Sequence, residues 1–479
     1  MSHNQYVNPL VNRYASEEMG RIFSPFHKYH IWHQLWIALA ESEKELGLEI
    51  SDAQINEMRA HLGQIDFEKV AIYEKKSRHE VIAHIEAWGE ICPLARPIIH
   101  LGATSAFVMD NGDMIQIKEA LELLKKRLVN LIKVMADFAQ EHKGLPVLGY
   151  THFQPAQLTT LGKRAVLWLY DFILDYEDLE YRLDKIQLRG VKGTVGTQDS
   201  FMNLFNKDEG KIKELEKLFA QKMGFKRGSV PVCGQTYTRK WDYLNLTALS
   251  NLAQSAHKTA TDIRLLQGLQ ELEEPFGDKQ VGSSAMPYKR NPMRSERVCS
   301  LSRFVMQMTD LGGQNHAVQW LERTLDDSAN RRMMIPESFL AMDAVLLIMT
   351  NIFQGIKVYP KLIERRIKEN LPFLTAEHVI MESVKKGGDR QEAHARFRDL
   401  AMEAVYEMKE LGIENDLIKK LGESPDIDLS LEELQKVLKP ENMTGRAESQ
   451  VKDFIEEVVN PIISKNSTLL DENNIDLKV

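Results

Sequence analysis

The chain has 479 residues, 43% of them apolar, and a formal net charge of −8. That length exceeds what one hydrophobic core fills, so two or three domains are expected. The acidic balance argues against a nucleic-acid-binding surface, which needs a basic face, and leaves room for a small anionic ligand in a basic cleft. No run of about 18 uninterrupted apolar residues signals a membrane span. The first residues lack the basic start and apolar stretch of a secretory leader. Cys92, Cys233 and Cys299 lie too far apart for a disulfide framework or a zinc site and read as small buried side chains in a reducing compartment.

Residues 1–111 carry shorter helical patterns, such as Ile31 to Leu46. A long seam follows from Met114 to His142. Ile117, Leu121, Leu124, Leu128, Leu131, Met135 and Phe138 recur at alternating steps of four and three, the heptad pattern of a helix that needs equally long neighbours. Four such neighbours are predicted: Leu158 to Leu188, Trp241 to Leu272, Arg294 to Arg323, and Glu337 to Val358 preceded by Pro336. Alternating β-branched runs with tight turns are scarce. After Tyr359-Pro360 the helices shorten again. The expected architecture is all-α: an N-terminal helical domain over 1–111, a long-helix bundle over 112–358, and a C-terminal helical domain over 359–479.

Nothing in the chain matches a Walker phosphate loop or a dinucleotide-binding GxGxxG after a strand. His79 and His84 are five apart, off a common helix face, so they do not read as a metal pair. The glycines of RGVKGTVGTQ read as a turn. A reaction without metal or cofactor is the simplest expectation. The segment 273–292 breaks the helical pattern between two long helices and concentrates Gly, Ser, Lys289, Arg290 and Asn291. Loops of that length inside a compact domain are usually functional or disordered.

Within that segment, GSSAMPYKRNP (Gly282 to Pro292) resembles the signature loop of the fumarase/aspartase superfamily. Further stretches resemble its adenylosuccinate lyase family: RSER at Arg294, GYTHFQPAQLTT at Gly149, GTVGTQDSF at Gly193, CGQTYTRK at Cys233 and QWLERTLDDSANRR at Gln319. NRYAS at Asn12, RHEVIAH at Arg78 and HLGATS at His100 extend the resemblance over nearly the whole chain. It implies a long-helix fold and a β-elimination that releases fumarate from a purine nucleotide substrate without a cofactor. Such a reaction removes a weakly acidic C–H proton. The charge that develops on the neighbouring carboxylate must then meet fixed donors, and the departing nitrogen needs a general acid.

By resemblance, Ser283 is the general base and His152 the general acid, with Glu296 orienting His152 and His79 also in the catalytic set. Lys289 and Asn291 would hold the charged carboxylate. Thr104, Ser105, Thr151 and Gln235 would hydrogen-bond the succinyl part. Arg13, Tyr14, Arg78, Arg297, Arg323, Ser328 and Arg332 would meet the nucleotide and its phosphate, arginine being suited to paired oxygens. Glu80 stands where the family usually has Asp. The resemblance also implies a cytoplasmic homotetramer whose sites are shared between subunits. The alternatives are another superfamily member, such as an argininosuccinate lyase or a carboxymuconate cycloisomerase, and a non-catalytic protein that reuses the fold.

Overall fold

The computed structural model describes residues 4–277, 280–282, 285–425, 427, 429–471 and 477. Five long helices form its centre: α1 (Ser105–Glu141), α2 (Leu161–Lys185), α3 (Lys240–Gly268), α4 (Met293–Ala317) and α5 (Asp327–Gly355). All seven seam residues of α1 are buried. The period alone therefore located the face that meets the neighbouring helices.

Side-chain pairs fix the helix directions. Trp168 Nε1 donates to Asp262 at 2.7 Å and Lys258 pairs with Asp171 at 2.5 Å, so α2 and α3 run antiparallel. Thr309 donates to the Leu246 carbonyl at 3.1 Å, and Asn315 to Asn330 at 2.6 Å, which sets α4 antiparallel to α3 and to α5. Arg331 meets Asp113 and Arg127 meets Asp343, so α5 runs parallel to α1. The result is an up-down-up-down-up bundle with two distinct ends. The start of α1 lies at one and its finish at the other. They are called here the Ser105 end and the Glu141 end.

Helix α5 is apolar nearly all round because it is enclosed. It is long and apolar enough to cross a membrane, yet 83% of that apolar window is buried inside the protein. Pro336 lies within α5 rather than before it. An internal proline costs about 3 kcal/mol, and ion pairs from Asp327 and Arg331 anchor the turns on its N-terminal side.

A hairpin interrupts the helices where the second one was expected to begin. Strands β1 (Pro146–Thr151) and β2 (Gln154–Thr160) pair antiparallel, with Thr151 opposite Gln154. Thr160 ends β2 and caps α2 by accepting from the Lys163 N–H at 3.1 Å. A Cβ on Gly162 would stand 2.4 Å from the Ala139 carbonyl oxygen, so only glycine lets α2 start this close to the end of α1. A short pair, β3 (Leu272–Glu273) with β4 (Lys357–Val358), ties the end of α3 to the end of α5.

One apolar core runs from Leu10 to Leu374 and takes in Met443, Val451 and Val459. A second lies between Val379 and Leu434.

Candidate active site

At the Ser105 end, two helix termini meet. Arg78, at φ 57°, terminates the Phe67–Ser77 helix in a left-handed conformation. His79 then caps the Glu80–Ile91 helix, its Nδ1 accepting from the Ile82 N–H at 3.3 Å. An accepting Nδ1 on a neutral imidazole leaves the proton on Nε2, which faces the Ser105 hydroxyl at 3.2 Å. Gln235 spans the same corner. Its amide donates to Thr104 Oγ1 at 2.6 Å, and its oxygen accepts from the Val195 N–H at 2.7 Å. The Gly193–Gly196 turn is held against this corner. A Cβ on Gly196 would fall 1.9 Å from the Cys233 carbonyl oxygen, at a φ of +81°.

Beneath that corner lies a buried charge network. Arg239 donates to Asp327 at 2.6 Å, Arg331 to Asp242 at 2.7 Å and to Asp113 at 2.9 Å, and the Tyr237 hydroxyl to Asp242 at 2.6 Å. The Tyr237 N–H also donates to Asp110 at 2.7 Å, which fixes the turn after Gln235. Arg323 Nη1 and Asp327 Oδ1 are 3.8 Å apart, buried, and without hydrogen-bond partners. Ser328 and Arg332, one helical turn apart on α5, line a cleft of about 270 Å³ with Lys28, Tyr29 and Glu80. Burial opposes ionisation of Glu80, but Lys28, Arg332 and Tyr29 outweigh it and hold the carboxyl down at about 2.

The Glu141 end carries the other candidates. His152 and Phe153 form the two-residue loop of the hairpin, at φ 52° and 57°. That is the type I′ geometry usually given to Asn-Gly. Both side chains are exposed at the tip, next to Thr151. The Tyr150 hydroxyl donates to Glu271 at 3.1 Å, which sets the hairpin beside the start of the 273–292 loop. Glu274 anchors that loop, accepting from the Arg294 and Ser295 N–H groups at 2.8 and 2.9 Å at the start of α4. Asn291 donates to the Gly282 carbonyl at 2.8 Å, and Lys289 is exposed beside it. Ser283 lies outside the described residues.

Glu296 and Arg297 occupy the first turn of α4. The Arg297 guanidinium stands 5.5 Å from the centroid of the Tyr14 ring, with Arg13 adjacent in sequence. Glu296 is exposed, and no contact joins it to His152 among the described residues. No group of three or more His, Cys, Asp or Glu side chains suited to a metal ion occurs among the described residues.

The two groups of candidates are far apart. Helix α1 has 37 residues and so spans about 55 Å. A six-residue strand reaches about 20 Å. His152 therefore stays roughly 30 Å or more from His79, Thr104 and Ser105 within one chain. One end offers hydrogen-bond donors and cations, and the other an imidazole and an ammonium. Lys28, Tyr29, Asp327 and the hairpin turn were not singled out in the sequence. Glu80, the partner of Lys28 and Tyr29, did carry a signal, as the place where the family usually has Asp.

The all-α long-helix bundle is a fold shared with a solved fumarate lyase and a solved muconate lactonizing enzyme. A fumarate lyase from Mesorhizobium sp. BNC1 superposes with a TM-score of 0.79 at 22% identity, covering 95% of this chain and 99% of that one. The 3-carboxy-cis,cis-muconate lactonizing enzyme from Pseudomonas putida superposes at 0.82 with 24% identity, covering 95% and 99%. The family described as Lyase matches residues 31–307, and the Adenylosuccinate lyase C-terminus family matches residues 372–454. Adenylosuccinate lyase of Saccharomyces cerevisiae is 48% identical over 480 residues, covering 100% of this chain and 99% of that protein. The Schistosoma mansoni adenylosuccinate lyase is 47% identical over 98% of each, and that of Pyrococcus abyssi 33% over 95% and 97%. The chain is a lyase and belongs to the adenylosuccinate lyase family.

Proposed function

We propose that the protein splits adenylosuccinate into AMP and fumarate, and splits the related succinyl-aminoimidazole-carboxamide ribotide, in purine nucleotide biosynthesis. Ser283 removes the proton from the carbon next to the succinyl carboxylate. The electron pair delocalises into that carboxylate, where Lys289 and Asn291 meet the charge. The C–N bond then breaks to leave fumarate, and His152 protonates the departing nitrogen. A serine hydroxyl becomes a base only when its surroundings favour the alkoxide, and the nearby ammonium of Lys289 does so. Glu296 orients the imidazole of His152. Thr104, Ser105, Thr151 and Gln235 hold the succinyl part, and His79 serves the same centre through its Nε2 proton. Arg13, Tyr14, Arg78, Arg297, Arg323, Ser328 and Arg332 take the nucleotide and its phosphate. No cofactor is used.

The observation that carries this reading is the division of the candidates between the two ends of the bundle, in a chain matched along its whole length by adenylosuccinate lyases. A working site needs both ends, so it is assembled from several copies of the chain. The proposed assembly is a cytoplasmic homotetramer. Its decisive assay follows absorbance as purified protein is mixed with adenylosuccinate. Turnover of argininosuccinate instead would overturn the substrate assignment. Ser283→Ala and His152→Ala should each abolish turnover while the assembly keeps its size in solution. Substantial activity in either variant refutes the role given to that residue.

A further inference from the structure

The cleft beside Ser328 holds three cations, Lys28, Arg331 and Arg332, against two carboxylates, Glu80 and Asp113. Arg331 and Asp113 belong to the buried network and are committed to each other. Glu80 links the other two cations, and it does so unevenly. Its Oε1 accepts from Lys28 Nζ at 2.7 Å and from the Tyr29 hydroxyl at 3.0 Å. Its Oε2 accepts from Arg332 Nη2 at 2.9 Å. The Glu80 side chain is 13% exposed and that of Lys28 24%, whereas Arg332 is 59% exposed. Glu80 and Lys28 form the wall, and Arg332 is the member free to turn. The Lys28 ammonium is held further by the rings of Tyr29 and Trp32, at 5.2 and 5.0 Å.

We infer that Glu80 is a displaceable internal counterion for Arg332. It holds the guanidinium in the cleft until the phosphate of the nucleotide takes it over, and Lys28 and Tyr29 keep Glu80 in place afterwards. This rests on the reading above, in which Arg332 meets the substrate phosphate. The Glu80–Arg332 pair has one largely exposed partner, Arg332, so it is a weak tether. A phosphate offers the same fork two charged oxygens and binds it more strongly than one carboxylate oxygen does. The exchange would be costly if it left Glu80 buried and unpaired. Lys28 removes that cost, because its ammonium remains on the other oxygen. Ser328, one turn before Arg332, lines the same cleft, and its hydroxyl has no hydrogen bond among the described residues. It is placed to donate to the arriving phosphate. Lys28 and Glu80 are thus positioning residues that set how available Arg332 is.

Opposite effects at the two positions distinguish this exchange from a static ion-pair cluster. AMP binding is measured by calorimetry on the full-length protein and on variants whose thermal unfolding confirms the fold. Glu80→Gln frees Arg332 and should tighten AMP binding by about fivefold, the factor that corresponds to losing a weak ion pair with one exposed partner. Lys28→Met leaves Arg332 as the one cation paired with Glu80 among the described residues and should weaken binding by about as much. Lys28→Arg should restore wild-type affinity. The double variant Lys28→Met with Glu80→Gln should bind at least as tightly as wild type, because Lys28 acts through Glu80. Weaker binding in both single variants would overturn the inference, as would a double variant weaker than either. Wild-type protein that binds no AMP would instead sink the functional reading, and this inference with it.

Discussion

Two inactive variants should regain activity when their chains are mixed. Ser105→Ala combined with His79→Ala disables the Ser105 end, and His152→Ala disables the Glu141 end. Neither change touches the core: His79 and His152 are exposed, and Ser105 is half-buried at a helix start. Because α1 holds the two ends about 55 Å apart, the proposed site draws them from different chains. In an equal, randomly assorted mixture, one half of the chains offers an intact Ser105 end and the other half an intact Glu141 end. About one quarter of sites then combine two intact halves, so activity should return to about one quarter of the wild-type rate per site. Co-expression of two differently tagged chains, purified through both tags, supplies the mixed assembly. Adenylosuccinate turnover is read against each variant alone. Mixed assemblies of normal size that stay as inactive as the parents would refute the division of the site between chains.

Three further outcomes follow from buried groups. Burial holds His33 down at about 3 and His84 and His100 at about 4, each below its unfolded value of about 6.5. The unfolded chain therefore binds more protons between about pH 6.5 and 4, and stability should fall progressively across that window while staying flat above it. Urea unfolding at a series of pH values checks this, and equal stability at pH 7 and pH 5 would contradict it. Leu128→Ala removes a fully buried seam residue and should cost about 2–5 kcal/mol. A loss below about 1 kcal/mol in denaturant titration would mean that the seam is not packed as described. Asp327→Ala leaves the Arg239 guanidinium buried without its 2.6 Å partner and should cost about 3–5 kcal/mol in the same measurement. A near-neutral result would place that arginine in contact with water.

What could be read in advance was whatever repeats. The seam of α1 announces its buried face because a heptad fixes which side chains share a side. The hairpin was hidden for two reasons. Its turn is His152-Phe153, with neither the Gly nor the Asn that usually marks a type I′ loop. Its second strand also runs into α2 without a break, so Leu158 to Thr160 read as helix. Pro336 misled in the opposite sense. Proline is normally a boundary, yet here ion pairs on the preceding turns hold the helix through it. Most candidate site residues came from motif resemblance, and their partition between the two ends did not. That partition depends on helix direction, which emerges only from contacts such as Trp168 with Asp262. The Glu80 cluster was equally invisible, because Lys28 and Glu80 are 52 positions apart.

The strain at the hairpin tip gains a meaning from the same geometry. Two non-glycine residues in succession at positive φ cost on the order of 1–3 kcal/mol each, and Phe153 is large and exposed. Within one chain the Tyr150 ring, 5.6 Å from that of Phe153, and the Gln154 amide, which donates to the Phe153 carbonyl at 3.4 Å, support the tip. In the proposed assembly a neighbour would add to that support. A two-fold axis perpendicular to the bundle would set the Glu141 end of one chain against the Ser105 end of another, and would do so twice per pair. Trp320, Leu321, Leu325 and Val232 are exposed at the Ser105 end, while Phe153, Met286 and Tyr288 are exposed at the Glu141 end. Pairing the ends removes both sets from water, at roughly 25 cal/mol for each Å² buried. In that proposed assembly these apolar side chains would favour the pairing of the ends, and the tip would then present His152 to Ser105 and Gln235. Folding of one chain and completion of its site would then be separate events. On the proposed reading the helices place each half, and association would decide whether the imidazole of His152 has a substrate to protonate.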